Sequence, residues 1–148
     1  ALDVLKKGGS AVDAAIAANA FLGLADPMMN GVGGDLFAIV WDPATQRLHG
    51  LNASGKAPKS LSFEQMKQEV AKGRPNTTGP LSVTTPGCLD GWFALHQKFG
   101  KLPVADLLAP TIRYARAGVP ITSEVADFFL AAESNMKATN NLTFKEIY

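Results

Sequence analysis

The 148-residue chain is poor in the groups from which many sites are built. Its one cysteine, Cys88, excludes an internal disulfide and a cysteine-based structural zinc site. Its two histidines, His49 and His96, lie far apart and offer no metal-ligand spacing. Neither sign of charge is in excess. Fourteen Lys and Arg against thirteen Asp and Glu leave a net charge of +1, which argues against a dedicated nucleic-acid or membrane-surface binder. No apolar run reaches the ~20 residues that span a bilayer. The longest, residues 14–25, is broken by Asn19 and Gly23. There is no Gly-x-Ser-x-Gly elbow, no internal repeat and no low-complexity tract.

What is present is material for a core. Hydrophobic residues make up 47% and charged residues 18%, which is not a disordered composition. The length suits one domain of roughly 100–200 residues. Yet the chain opens without Met inside a helical pattern, so the reading expects a piece of a larger protein.

Residues 1–7 read as the end of a helix with Leu2 and Leu5 on its apolar face and Gly8-Gly9 as its stop. Ser10 is an N-cap, with Asp13 three residues on in a capping-box arrangement. The helix that follows, residues 11–24, is Ala-rich and apolar on nearly every face, which suits the interior of a larger fold. Asp26-Pro27 ends it. A glycine-rich passage, MMNGVGGD (28–35), leads into an apolar strand at 36–41. The turn Asp42-Pro43-Ala44-Thr45 returns it as a hairpin through residues 46–53. Alternation is poor over 36–40, so burial on both faces is expected. Residues 61–72 form an amphipathic helix capped by Ser60 or Ser62, and 73–79 a polar loop. A short strand is expected at 81–84. Helices follow at 88–99, 103–116 and 123–137, the last capped by Thr122 or Ser123, with a polar break at 139–141. The pattern is α+β, with an antiparallel hairpin rather than βαβ units.

Gly31-Val32-Gly33-Gly34 invites comparison with a phosphate cradle, but nucleotide-binding glycines follow a strand and open a helix, and these do the reverse. Two readings stay open: a left-handed or close-approach backbone, or bare amides lining a cleft. His96 reads as a half-buried surface histidine and Cys88 as a small core residue. Asp42, His49 and Ser54 have no context that makes them a triad.

Taken in order, the segments resemble a family. GGSAVDAAIAANAFLGLADPMMNGVGGDLFAIVWD is similar to the opening of the gamma-glutamyltranspeptidase large subunit, with its Gly-Gly-Asn-Ala-Val-Asp-Ala-Ala pattern, acid-Pro turn and Ser-Gly-Ile-Gly-Gly-Gly loop. LSVTTPGCLDGWFALHQKFGKLPVADLLAPTIRYARAGVPIT resembles the family's Ser-Val-x-x-Pro-Gly, Gly-x-Leu-Pro and Leu-x-x-Pro-Ala-Ile motifs. With Lys56 as the basic residue in the 54–58 stretch, the pattern is similar to the family's transpeptidase-like and cephalosporin-acylase-like branch. The resemblance implies part of an N-terminal nucleophile (Ntn) hydrolase αββα sandwich. Residues 1–60 would supply core helix and hairpin, and 61–148 a mostly helical portion. It implies a precursor that cuts itself, and an N-terminal Thr of the small subunit that attacks a γ-glutamyl amide such as glutathione. That Thr lies outside these residues, so no catalytic residue is assigned, and Thr85, Thr122 and Thr143 are not candidates. The implied chemistry needs no metal and no cofactor. The implied partners are the remainder of the large subunit, the small subunit of the same precursor, and a small γ-glutamyl or related amide. Alone, the piece is expected to be inactive and prone to self-association. A second class is a non-catalytic binding or assembly module reusing the fold.

The same family binds the substrate α-carboxylate with an Arg in an Arg-Glu-Thr-Ala-Pro stretch. Here the matching residues are Ser54-Gly55-Lys56-Ala57-Pro58, which put Ser54 at the Arg position. A hydroxyl lacks the guanidinium's charge and fork, which puts ordinary γ-glutamyl specificity in doubt. In an extended segment 54 and 56 share a face, so Lys56 can present a cation there. Ser54 and Lys56 are therefore the expected substrate-binding residues; the alternative is a solvated lysine in a loop. In the glycine loop Asn30 stands for the usual Ser and Asp35 for a glycine. Asp35 is expected to hydrogen-bond backbone amides.

Overall fold

The computed structural model describes residues 1–73 and 80–138. The expected polar loop over 74–79, the polar break at 139–141 and Thr143 lie outside the described residues. The elements are α1 (Leu2–Lys6), α2 (Ala11–Ala25), β1 (Leu36–Asp42), β2 (Arg47–Ala53), α3 (Phe63–Ala71), a 3-10 turn (Pro80–Ser82), α4 (Cys88–Phe99), α5 (Val104–Ala117) and α6 (Ser123–Ala138).

Helix α2 forms because Ala and Leu favour helix and because its start is closed on itself. The Ser10 hydroxyl accepts from Asp13 N–H at 3.0 Å, and Asp13 Oδ2 accepts from Ser10 N–H at 2.9 Å. The same oxygen accepts two more N–H bonds, from Lys101 at 2.9 Å and Leu102 at 3.2 Å. Asp13 thus ties the start of α2 to the α4–α5 junction. Its exposure is 0%. Burial is the strongest single influence on this carboxyl and acts to raise its pKa. The backbone N–H bonds from Ser10, Lys101 and Leu102, with the Ser10 side chain, together outweigh it and hold the pKa below 3.8. The other oxygen, Oδ1, has no hydrogen-bond partner among the described residues and lies 3.9 Å from His96 Nε2. That ring nitrogen carries a proton, since it donates to the Leu102 carbonyl at 2.6 Å.

The core collects around α2. Val4, Ile16, Ala17, Cys88, Trp92 and Leu107 pack together, with Leu107 fully shielded. Leu2 and Leu5 remain exposed while Val4 is buried, the reverse of the expected face. The reversal has a local cause. Gly8, at φ 87°, turns the chain back so that Gly9 N–H reaches the Val4 carbonyl at 3.0 Å, which folds the Val4 side of α1 onto α2. Helices α2 and α5 also meet through Phe21 and Tyr114, edge to face at 5.3 Å. Ser62 is the cap of α3, in a second capping box with Gln65.

β1 and β2 pair antiparallel, Leu36 with Ala53 through Asp42 with Arg47. Asp42 closes the turn by accepting from Thr45 Oγ1 at 2.7 Å and Ala44 N–H at 3.0 Å. One face of the hairpin lies on α4. Gly91 is the point of contact: a Cβ there would lie 2.6 Å from Leu36 Cδ2 and 2.8 Å from Ala53 Cβ. The other face carries Phe37, Ile39, Trp41 and Leu48, and Ile39 is 78% exposed. Among the described residues, the burial expected on both faces of residues 36–40 is found on one face, with α4 the main element against the hairpin. The strand expected at 81–84 is also absent. Pro80 opens a 3-10 turn, and the backbone link to the neighbouring segment falls one residue later, from Thr85 N–H to the Lys56 carbonyl at 2.9 Å.

Asp13→Ala should cost about 3–5 kcal/mol in urea unfolding, since three N–H groups lose their acceptor at about 1–3 kcal/mol for each that stays dry. The folded pKa is depressed, so the carboxylate contributes stability above pH 3.8 and loses it as pH falls through the lower folded value. Asp13→Asn, which keeps an oxygen but no charge, should be less damaging and should flatten that acid limb. A loss below 1 kcal/mol in Asp13→Ala would contradict this role.

Candidate functional site

Three segments converge at the N-terminal end of α4. The first is the end of the glycine loop. The Gly34 carbonyl accepts from both Gly87 N–H at 3.1 Å and Cys88 N–H at 2.9 Å, which joins the loop to the first turn of α4. The second is the run that leaves β2. Asp35 Oδ1 accepts from Gly55 N–H at 2.8 Å and, more loosely, from Thr84 Oγ1 at 3.4 Å. The third is residues 84–87, whose Thr85 N–H holds the Lys56 carbonyl. Two glycines make this convergence possible. A Cβ on Gly55 would overlap the Thr85 carbonyl, and one on Gly87 would overlap the Ala53 carbonyl.

Ser54 and Lys56 both stand on this junction and both are exposed. Exposure alternates from residue 52 to residue 56, so the two side chains share the outward side, as the extended spacing implies. Ser54 N–H is held by Asn52 Oδ1 at 2.9 Å. The glycine loop beside them is open. Gly31 and Gly33 have no positive φ, and a Cβ on either would meet nothing within 4 Å among the described residues. The left-handed and close-approach readings of these two are therefore corrected. What the loop presents is the exposed backbone of Gly31, Gly33 and Gly34, with the Val32 side chain, 57% exposed, between them. Asp35 bonds a backbone amide as expected, but that amide is Gly55, twenty residues away and outside the loop.

The other polar candidates have structural employment. Cys88 is buried against Asn19, whose Oδ1 also accepts from Trp92 Nε1–H at 2.8 Å. Burial first, and then the charge of Asp35, push the Cys88 thiol up. Lys98 Nζ donates to His49 Nδ1 at 3.0 Å, and His49 Nε2 lies 3.9 Å from Asp42 Oδ2. This group sits toward the turn end of the hairpin, while Ser54 follows the opposite end of β2, so the three residues form no triad. Sequence reasoning missed the Gly55, Thr84 and Thr85 contributions. The glycines at 55 and 87, each next to a polar or extended run, were the available signal.

The model of the family described as gamma-glutamyltranspeptidase matches residues 1–148. The chain belongs to the gamma-glutamyltranspeptidase family. A glutathione hydrolase-like YwrD proenzyme of Bacillus subtilis is 35% identical over 124 residues, covering 82% of this chain and 23% of that protein. Among solved structures, a cephalosporin acylase from Bacillus halodurans is 45% identical with a TM-score of 0.81, over 93% of this chain and 25% of the other. A Helicobacter pylori gamma-glutamyltranspeptidase is 28% identical with a TM-score of 0.79, over 90% of this chain and 38% of the other. This chain therefore spans about a quarter of the curated relative's length. The mixed helix-and-hairpin fold is that of the family's Ntn hydrolases, as expected.

The raised thiol gives a direct check. Cys88 should react with a maleimide far more slowly in the folded protein than in urea. Equal rates in the two conditions would contradict its burial and its pushed-up pKa.

Proposed function

We propose that this chain is the leading part of the large subunit of an enzyme that cleaves or transfers γ-glutamyl or related acyl amides, and that Ser54 and Lys56 form part of its acyl-substrate wall. The observation that carries the reading is their shared outward face beside the open glycine loop, at a junction held by six named hydrogen bonds. Membership of the family supports the reaction class. In this reading the nucleophilic Thr belongs to the small subunit of the same precursor, with its own α-amine as base. The residues described here bind and orient rather than react.

The wall favours an acyl donor that carries a carboxylate. Lys56 offers a compact ammonium and Ser54 a hydroxyl, in place of a guanidinium fork. Such a pair holds one anionic oxygen well but cannot grip both in a plane. This argues for tolerance of acyl groups that differ around the carboxylate, glutaryl as well as γ-glutamyl. The 45% identity to a structure named as a cephalosporin acylase supports including acyl groups other than γ-glutamyl.

The uncovered side of the hairpin completes the reading. Phe37, Ile39, Trp41 and Leu48 form an apolar strip that suits packing by the remainder of the same protein, in the second sheet of the sandwich.

In the intact, processed protein, Lys56→Ala should raise KM for an anionic acyl amide about tenfold, the scale of one lost charge-assisted hydrogen bond. Unchanged kcat/KM across a panel of γ-glutamyl and glutaryl amides would refute the wall. The 148-residue chain alone should show no amidase activity and should self-associate in sedimentation. Ile39→Lys should reduce that association. A wild-type chain that sediments as a monomer would count against the strip as a packing face.

A further inference from the structure

We propose that Asp35 is a positioning residue for substrate binding: through the Gly55 amide it sets where Ser54 and Lys56 stand. This rests on the reading of those two residues as the acyl-substrate wall.

The argument starts where the ladder stops. β2 ends at Ala53, opposite Leu36, and among the described residues no strand continues it. Residues 54–56 therefore need other anchors, and the structure gives one on each side. Asp35 Oδ1 holds the Gly55 N–H at 2.8 Å, and Thr85 N–H holds the Lys56 carbonyl at 2.9 Å. The Gly55–Lys56 unit is gripped between them, with the Ser54 and Lys56 side chains turned outward. Asp35 itself does not depend on that segment. Its neighbour Gly34 is fixed to the first turn of α4, and Leu36 begins the ladder. Asp35 thus carries position from the rigid hairpin and helix to a run that has no ladder of its own.

A carboxylate suits the task. It only accepts, so Gly55 N–H and the Thr84 hydroxyl can both point at one oxygen. The ionised form also makes the stronger bond to an amide. Substitution at 55 itself is not tolerated, because a Cβ would overlap the Thr85 carbonyl. The adjustable member of the set is therefore residue 35. A competing role is purely electrostatic, with the Asp35 charge repelling anionic acyl donors. The two roles differ in what Asn does at this position.

The test uses the intact, processed protein with glutaryl and γ-glutamyl p-nitroanilides, and calorimetric binding of glutarate as a second readout. Asp35→Ala should raise KM and the glutarate Kd about tenfold while kcat stays within about threefold. Asp35→Asn, which keeps the acceptor oxygen, should recover most of the loss. In a Lys56→Ala background, Asp35→Ala should add less than about twofold, because both changes remove the same contact. If Asp35→Ala does not fold, Asp35→Glu, whose longer side chain displaces the Gly55 amide, carries the same expectations. With Lys56→Ala effective, an unchanged KM in Asp35→Ala overturns the positioning role alone. So does full additivity with Lys56→Ala, or tighter binding in Asp35→Asn, which would mark charge repulsion. A silent Lys56→Ala overturns the wall and this role with it.

Discussion

A carboxylate with no exposure to water takes its hydrogen bonds from the protein, and one oxygen of Asp13 does so in a way that organises everything downstream. One of its oxygens takes three backbone N–H groups, one from its own helix start and two from the α4–α5 junction 88 and 89 residues away. Helix α2 and the joint between α4 and α5 are therefore a single body. α4, placed by that joint, receives the hairpin at Gly91. The first turn of α4 receives the glycine loop at Gly34. The exposed run at 54–56 is the last link in this series.

The series passes through backbone more than side chains. Gly34, Gly55, Thr85, Gly87 and Lys56 contribute peptide groups, and Asp35 is the side chain that joins them. The arrangement leaves the Ser54 hydroxyl and the Lys56 ammonium outward. It also leaves the backbone of Gly31, Gly33 and Gly34 exposed beside them. In the proposed function, this surface holds a small polar acyl group beside a nucleophile supplied by another part of the protein. It carries no nucleophile–base pair of its own among the described residues, where Cys88 is buried and the His49 and His96 rings serve structural contacts.

Local features were legible in the sequence because their causes are local. The Ser10 and Ser62 caps, the Gly8 stop and the Asp42 turn each depend on residues within about four positions. The Cys88–Phe99 helix has a Pro-Gly start and a Gly stop, and it matches the expected bounds. Features with distant causes were not legible. Leu36–Val40 lacks alternation in its sequence, yet it alternates in exposure because, among the described residues, one of its faces is covered and the other is open. The second and third partners of Asp13 and the Gly55 partner of Asp35 come from sequence separations that no local pattern encodes. Ser54 and Lys56 were singled out through resemblance to a family motif. Their shared outward face agrees with the two-residue period of extended chain.

The central claim is that the 54–56 run, fixed by Asp35 and Thr85, receives the carboxylate of the acyl donor. The most direct measurement is a crystal structure of the intact, processed protein with a non-hydrolysable glutaryl or γ-glutamyl analogue bound. The ligand carboxylate should lie within salt-bridge distance of Lys56 Nζ, with the Asp35–Gly55 and Lys56–Thr85 bonds intact. A ligand seated elsewhere, with Lys56 in solvent, would contradict it.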